Sequence, residues 1–149
     1  MLRDRDARAR ETAVSGWDEI YRENILEHYK HPRHRGALEE PDITYEDANP
    51  LCGDRLRLDL NVKDGRIQQV RFSGVGCSIS QAAASMLCEK IEGMEIEEVK
   101  KLGRDEMLEM LGIELGPVRL KCGLLALKTL KAGVWGIDRW PGEEEEEGR

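Results

Sequence analysis

Residues 56–72 read LRLDLNVKDGRIQQVRF, and this stretch decides the fold. Over its first seven positions apolar residues alternate with polar ones, which is the two-residue period of a strand with one buried face. Asp64-Gly65 is typical of a tight turn, and the apolar residues from there to Phe72 supply the buried side of a returning strand. The stretch therefore predicts an antiparallel β-hairpin.

A helix and a short strand are predicted before the hairpin. Apolar side chains recur at intervals of three and four from Trp17 to Tyr29, which predicts an amphipathic helix. Pro32 ends this helix, because the residue before a proline is biased away from the helical region. A short edge strand over residues 43–45 is expected between the helix and the hairpin.

Further helices are predicted after the hairpin. An Ala- and Ser-rich helix follows Cys77, and its small side chains allow it to pack closely on a sheet. Two short acidic helices are expected over 95–102 and 105–111, the second capped by Asp105. A last helix covers about 117–132 and begins on a proline. This order of elements predicts an α+β fold, a three-stranded antiparallel sheet with helices packed on one face.

Composition excludes several classes of protein. The 149 residues include 23 Lys and Arg against 30 Asp and Glu, a net charge of −7, so no basic surplus exists to neutralise nucleic-acid phosphates. No stretch approaches the roughly 18–20 uninterrupted apolar residues of a membrane helix. The N-terminus has neither the apolar run of a secretory signal nor the acid-poor composition of a transit peptide. We expect a cytoplasmic protein with neither a nucleic-acid nor a membrane partner.

The length fits one domain with charged ends. Residues 1–16 are rich in charge and have no apolar period, so we expect a disordered N-terminal arm. Residues 143–147 are five consecutive glutamates, which predict a solvated, disordered acidic tail over 141–149. The folded domain is therefore expected over 17–140.

Two cysteines and an aspartate occur where the backbone is expected to turn. Gly53 permits a bend between Cys52 and Asp54, so that both side chains can point to the same side. Cys77 follows two glycines at the predicted start of a helix. The free N–H groups and the helix dipole at that position favour the ionised thiolate.

A third cysteine completes a possible metal site. Cys122 lies within the first two turns of the last helix, beside Arg119 and Lys121, whose positive charges favour its thiolate. If the hairpin brings Cys52 back beside Cys77, all three sulfurs can meet at one end of the sheet. Three thiolates and the neighbouring carboxylate form a tetrahedral donor set for Zn²⁺ or for iron in a sulfur-ligated cluster. The sequence has no C-x-x-C spacing, so buried cysteines that act as small hydrophobic side chains remain the alternative.

The remaining cysteine and the histidines carry other predictions. Cys88 is eleven positions after Cys77 on the same predicted helix, which is about 16 Å, too far to share a metal ion. We therefore expect Cys88 in the core. His28, His31 and His34 recur every three residues, but a helix break separates them, and we interpret them as a solvated basic patch.

Three motifs occur in the order found in one known family. They are Asn49-Pro-x-Cys-Gly-Asp54, Gly74-x-Gly-Cys-x-Ile-Ser80 and Gly116-Pro-Val-Arg-x-Lys-Cys122, preceded by Tyr29-Lys-His-Pro-Arg33. Over residues 17–134 the chain resembles the family of IscU, SufU and the NifU N-terminal domain. Members of that family act in iron–sulfur cluster assembly.

The resemblance implies a SufE/NifU-like fold and a scaffold that is not itself an enzyme, or a sulfurtransferase if the chain is SufU-like. It implies that Cys52, Cys77 and Cys122 accept persulfide sulfur from a PLP-dependent cysteine desulfurase, with the order of acceptance left open. It also implies that these cysteines hold a transient [2Fe–2S] cluster or a Zn²⁺ ion, with Asp54 as the fourth ligand, and that apo iron–sulfur proteins receive the cluster. A carboxylate binds such iron less tightly than a thiolate, which makes the cargo easier to release.

Two departures from the family pattern keep several functions open. Scaffold-type members carry His immediately before the third Cys, whereas this chain has Lys121, as SufU-like members do. However, the segment 92–116 is too short for the insertion typical of SufU-like members. The candidates are a cluster scaffold, a zinc-dependent sulfurtransferase partner of the desulfurase, and a purely structural zinc domain. Lys121 is either a surface charge or a nearby stabiliser of a thiolate.

Overall fold

A three-stranded antiparallel meander forms the sheet, and helices precede and follow it. The computed structural model describes residues 18–51, 53–137 and 139–142. Within these ranges the elements are α1 (18–30), β1 (Ile43–Asn49), β2 (Asp54–Lys63), β3 (Arg66–Val75), α2 (Ser78–Ile91), α3 (Ile96–Lys100), α4 (Arg104–Leu111) and α5 (Pro117–Trp135). The strand order is β1-β2-β3, which confirms the predicted α+β architecture. The predicted arm over 1–16 and the five glutamates lie outside the described residues.

The β2–β3 hairpin has the predicted pairing. Leu58 pairs with Phe72 and Leu60 with Val70, and all four side chains are buried. In the Asp64-Gly65 turn both residues have positive φ, 54° and 74°. Two such residues form the turn whose twist matches that of the flanking strands. The alternation in the sequence therefore has the expected cause, a sheet with one buried face.

The edge strand β1 is longer than the sequence predicts. The expected strand covers residues 43–45, whereas β1 continues to Asn49 and pairs with β2 along its whole length. The segment 46–49 is rich in residues with low strand propensity, and pairing with β2 outweighs that preference. The last pair joins Asn49 to Asp54. This pairing fixes Asp54 at the first position of β2.

Helices α2 and α5 pack against each other and against one face of the sheet. The buried residues between these layers include Leu56, Leu58, Leu60, Ala82, Ala83, Ala84, Leu125 and Leu127. Helix α5 extends three residues beyond the predicted end at Ala132, since Gly136 caps it in the left-handed conformation and donates to the Ala132 carbonyl. Among the described residues, no helix combines the length and the apolar character needed to cross a membrane.

Helix α4 begins differently from the prediction. Its capping residue is Gly103, not Asp105, because the carboxylate of Glu106 accepts a hydrogen bond from the Gly103 N–H at 2.9 Å. The predicted end at Gly112 is confirmed by a φ of 71°. A side chain at Gly112 would collide with the ring of Tyr21, so this glycine also permits the close approach of α1.

The predicted solvated histidine patch is wrong for His28. Its side chain is buried, and Nδ1 lies 2.8 Å from Ser85 Oγ, which also accepts a hydrogen bond from the Arg33 N–H at 2.8 Å. Burial and the positive charge of Arg33 lower the pKa of His28. His28 therefore joins α1 to α2. His31 is exposed and His34 is half-buried.

Candidate metal centre

Three potential metal ligands meet at one end of the sheet. They are Asp54 at the start of β2, Cys77 at the start of α2 and Cys122 in the second turn of α5. One ligand atom of each lies within 4.8 Å of the others. The convergence predicted for Cys77, Cys122 and Asp54 is therefore present. Cys52 lies outside the described residues, and its membership of the site stays a prediction.

The connection between β1 and β2 positions Asp54. Gly53 has a φ of 73°, and its N–H donates to the Asn49 carbonyl at 2.9 Å. The Asn49 side chain forms hydrogen bonds with both the β1–β2 connection and α5. Its Oδ1 accepts from the Leu51 N–H at 3.1 Å, and its Nδ2 lies 3.7 Å from the Cys122 Sγ as a donor. Asn49 thus ties the β1–β2 connection to α5 through the sulfur.

Cys77 and Asp54 interact through two atoms each. The Cys77 N–H donates to Asp54 Oδ1 at 3.2 Å, and the Cys77 thiol lies 3.6 Å from Asp54 Oδ2. The hydroxyl of Ser80 donates to the Cys77 carbonyl at 3.1 Å, with its oxygen 3.9 Å from the Cys77 sulfur. The first turn of α2 therefore holds the carboxylate and the thiol side by side.

Asn49 and Ser80 are site residues that the sequence motifs did not single out. Both residues stand inside the quoted motifs, and both are buried. A buried polar side chain needs partners, and here the partners are the groups of the cluster. The signal in the sequence was their position three residues from a candidate ligand: Asn49 before Cys52, and Ser80 after Cys77.

The site is buried on one side and open on the other. Asp54 and Cys122 are 3% and 2% exposed, whereas Cys77 is half-buried. Cys77 is therefore the most exposed of the three described ligands. Cys88, by contrast, is fully buried, and burial strongly raises the pKa of its thiol. This confirms Cys88 as a core side chain with no access to solvent.

The described donors suit a thiophilic metal. Two sulfurs and one carboxylate oxygen are ligands that Zn²⁺ accepts in tetrahedral sites, and sulfur also suits iron in clusters. An N–H at the start of a helix and the Asn49 amide both place positive dipoles beside the ligand atoms. These dipoles offset part of the negative charge that ionised thiolates bring.

Lys121, the other predicted site residue, is directed to a different neighbour. Its ammonium nitrogen lies 5.1 Å from the ring centroid of Trp140. It is partly exposed and precedes Cys122 on α5. The structure therefore places this charge in a cation–π contact with Trp140.

A change at Gly76 should disturb the cluster without disturbing the fold. A Cβ at this position would collide with Ser80 Oγ and lie 2.9 Å from Asp54 Cγ. We expect Gly76→Ala to displace the carboxylate and to weaken zinc binding by about tenfold or more, the usual effect of disturbing groups around a metal site. Competition with a chromophoric chelator measures this affinity, and circular dichroism checks the fold.

Gly116→Ala is the matched control for Gly76→Ala. Gly116 also precedes a helix of the site, but a Cβ there has nothing within 4 Å. Its zinc affinity should stay within about twofold of the wild type. Equal affinities of the two variants would show that the close packing at Gly76 does not position the ligands.

Several known proteins are similar to this chain in sequence or in fold. The model of the NifU-like N-terminal domain family matches residues 20–142. The zinc-dependent sulfurtransferase SufU of Bacillus subtilis is 37% identical over 134 residues, which cover 78% of this chain and 90% of that protein. The iron–sulfur cluster assembly scaffold protein IscU of Thermotoga maritima is 36% identical over 136 residues, which cover 80% and 96%. The NifU-like N-terminal structure from Brucella abortus superposes with a TM-score of 0.65 at 23% identity, covers 81% of this chain and 96% of that one, and shows the shared fold.

Proposed function

The chain belongs to the family of NifU-like N-terminal domains, and we propose that it is an iron–sulfur cluster assembly scaffold. In this role it accepts sulfur from a PLP-dependent cysteine desulfurase, holds a [2Fe–2S] cluster briefly and passes it to apo-proteins. The convergence of Asp54, Cys77 and Cys122 carries the proposal. Three such ligands from three separate elements make one site only when the domain is folded.

Cys52 is proposed as the remaining thiolate ligand. It is two residues before Asp54 in the sequence, and the pairing of Asn49 with Asp54 leaves only four residues between those two positions. With Cys52 the donor set becomes three thiolates and one carboxylate. Four donors complete the tetrahedral set that zinc prefers, and thiolates are the usual ligands of iron–sulfur clusters.

The cysteines and Asp54 have different roles in binding and releasing the cluster. The cysteines supply soft sulfur, which binds iron or zinc strongly and which also takes the transferred sulfur as a persulfide. Asp54 supplies a harder oxygen, already hydrogen-bonded to the Cys77 N–H. Because a carboxylate binds thiophilic metals less tightly than a thiolate, Asp54 is the ligand that yields first.

A zinc-dependent sulfurtransferase is the second candidate. Lys121 precedes Cys122, as in SufU-like sequences, so no imidazole is available there as a ligand. In this function the metal orders the cysteines, and one of them receives sulfur from the desulfurase. A purely structural zinc site is less well supported, because Cys77 is partly exposed and one donor is an aspartate.

The proposed chemistry also indicates where the protein works. Its cysteines must stay reduced to bind metal or accept sulfur, and a reducing compartment such as the cytoplasm maintains them in that state. The recipients are proposed to be apo-proteins that lack their iron–sulfur cluster.

Metal and sulfide content separate the first two candidates. We expect protein purified without oxygen to contain iron and acid-labile sulfide, because the proposed cargo is a cluster. Elemental analysis and a sulfide assay measure both quantities per chain. Stoichiometric zinc without sulfide would contradict the scaffold function and favour the sulfurtransferase.

A further inference from the structure

The chain that follows α5 returns along that helix. Trp140 lies five residues beyond Trp135, the last residue of α5, yet its ring contacts two lysines within the helix. Its centroid is 5.1 Å from the nitrogen of Lys121 and 5.4 Å from that of Lys128. These lysines are seven positions apart, two helical turns on one face. The indole ring therefore bridges two turns of α5.

Other contacts hold Trp140 in place independently of Lys121. Lys128 is an ion-pair partner of Asp47 on β1, with 2.5 Å between Nζ and Oδ2, and both side chains are largely buried. Pro141, the next residue after Trp140, is buried as well. A Cβ on Gly142 would lie 2.9 Å from the Arg104 side chain, so the backbone also packs closely against α4. The ring is thus a fixed platform on which Lys121 rests.

Lys121 is partly exposed and directly precedes the candidate ligand Cys122 on α5. Exposed apolar side chains are close in the chain to the candidate ligands: Leu51 in the β1–β2 connection, Val75 two residues before Cys77 and Val118 one turn before Cys122. Arg119, next to Val118, is exposed too. A protein that delivers sulfur to Cys77 or Cys122 comes close to these neighbouring residues. Its surface then meets apolar side chains and two positive charges.

We infer that Trp140 is a positioning residue, which holds the Lys121 ammonium as a fixed positive contact for an acidic surface of the sulfur-donating protein. This inference rests on the proposed function, in which a second protein brings the sulfur. A lysine that is already held in place loses less conformational freedom when a partner docks. The local positive charge also contrasts with the net charge of −7 of the whole chain, so it selects the orientation of an acidic partner.

The contact itself is tested with Trp140→Leu and Trp140→Phe. Leucine removes the ring, whereas phenylalanine keeps an aromatic face. We expect Trp140→Leu to raise the rate at which an amine-reactive acylating reagent modifies Lys121 by about two- to fivefold, the range that a cation–π contact of this kind supports. Trp140→Phe should stay closer to the wild type. Peptide mass spectrometry measures the rate, with the exposed Lys63 as the internal reference.

The docking role is tested by sulfur transfer from a PLP-dependent cysteine desulfurase with L-cysteine. We expect Trp140→Leu to raise the concentration of this chain that half-saturates transfer by about two- to fivefold, with the maximal rate unchanged. Lys121→Met should give a similar rise. The double variant should add little to it, because the two substitutions remove the same interaction, that between Lys121 and Trp140. Thermal unfolding of each variant checks that the fold is retained.

Each result has a separate meaning. Unchanged half-saturation in a Trp140→Leu protein that accepts sulfur normally would overturn the docking role alone. Fully additive effects in the double variant would overturn it as well, since Trp140 would then act without Lys121. A wild-type chain that accepts no sulfur would overturn the proposed function, and the docking role with it.

Discussion

Replacing Cys122 with serine is expected to abolish sulfur acceptance while leaving the helical content unchanged. A hydroxyl cannot form a persulfide, and it is a poor ligand for thiophilic metals. The smaller oxygen fits the buried space of the sulfur and can still accept the hydrogen bond that the Asn49 amide now donates to the Cys122 sulfur. Persulfide labelling followed by mass spectrometry should fall by more than tenfold, and circular dichroism should not change.

Cys88→Ala is the matched control for Cys122→Ser. Cys88 is also a buried thiol, but it lies in the core and outside the ligand cluster. Its removal leaves a small cavity, which should cost about 1 kcal/mol of unfolding free energy without affecting sulfur acceptance. Persulfide labelling of Cys122→Ser at the wild-type level would refute the role given to Cys122, whatever the control shows.

The parts of the fold that were predicted correctly have strong local signals. The β2–β3 hairpin combines an unbroken two-residue period with Asp64-Gly65, and the structure has that turn. The end of β1 has no such signal, because the segment 46–49 becomes a strand only through its pairing with β2. The cap of α4 was missed for a similar reason. Asp105 is a good capping residue, but the hydrogen bond that the Gly103 N–H donates to the Glu106 carboxylate places the cap two residues earlier.

The site shows the same division between local and distant information. Gly53 and Gly76 beside candidate ligands, together with the expected strand pairing, were enough to predict that Asp54 and Cys77 meet. The position of Cys122 depended on the packing of α5, which no local pattern specifies. The contacts of Trp140 with Lys121 and Lys128 could not be predicted from the sequence, because they require the chain to reverse after α5. The placement of Cys52 remains a prediction.

Asp54→Ala should have two opposite effects. Asp54 is 3% exposed and accepts the Cys77 N–H, so alanine leaves that donor without its acceptor. The unfolding free energy of the apo-protein should therefore fall by about 1–3 kcal/mol. The bound cluster, however, should last several-fold longer, since the ligand that exchanges most readily is gone and the thiolates that remain bind iron more strongly.

The two effects are measured on the same preparation. Urea unfolding of the apo-protein gives the stability, and the decay of cluster absorbance after anaerobic reconstitution gives the lifetime. Asp105→Ala is the control, because Asp105 is an exposed carboxylate in the first turn of α4; its loss should lower the unfolding free energy by less than about 1 kcal/mol and leave the cluster lifetime unchanged. A general loss of stability would shorten the lifetime, so a longer lifetime in a less stable protein can only come from the changed ligand. A shorter lifetime would mean that Asp54 holds the cluster in place, and the carboxylate could not then be the ligand that releases it.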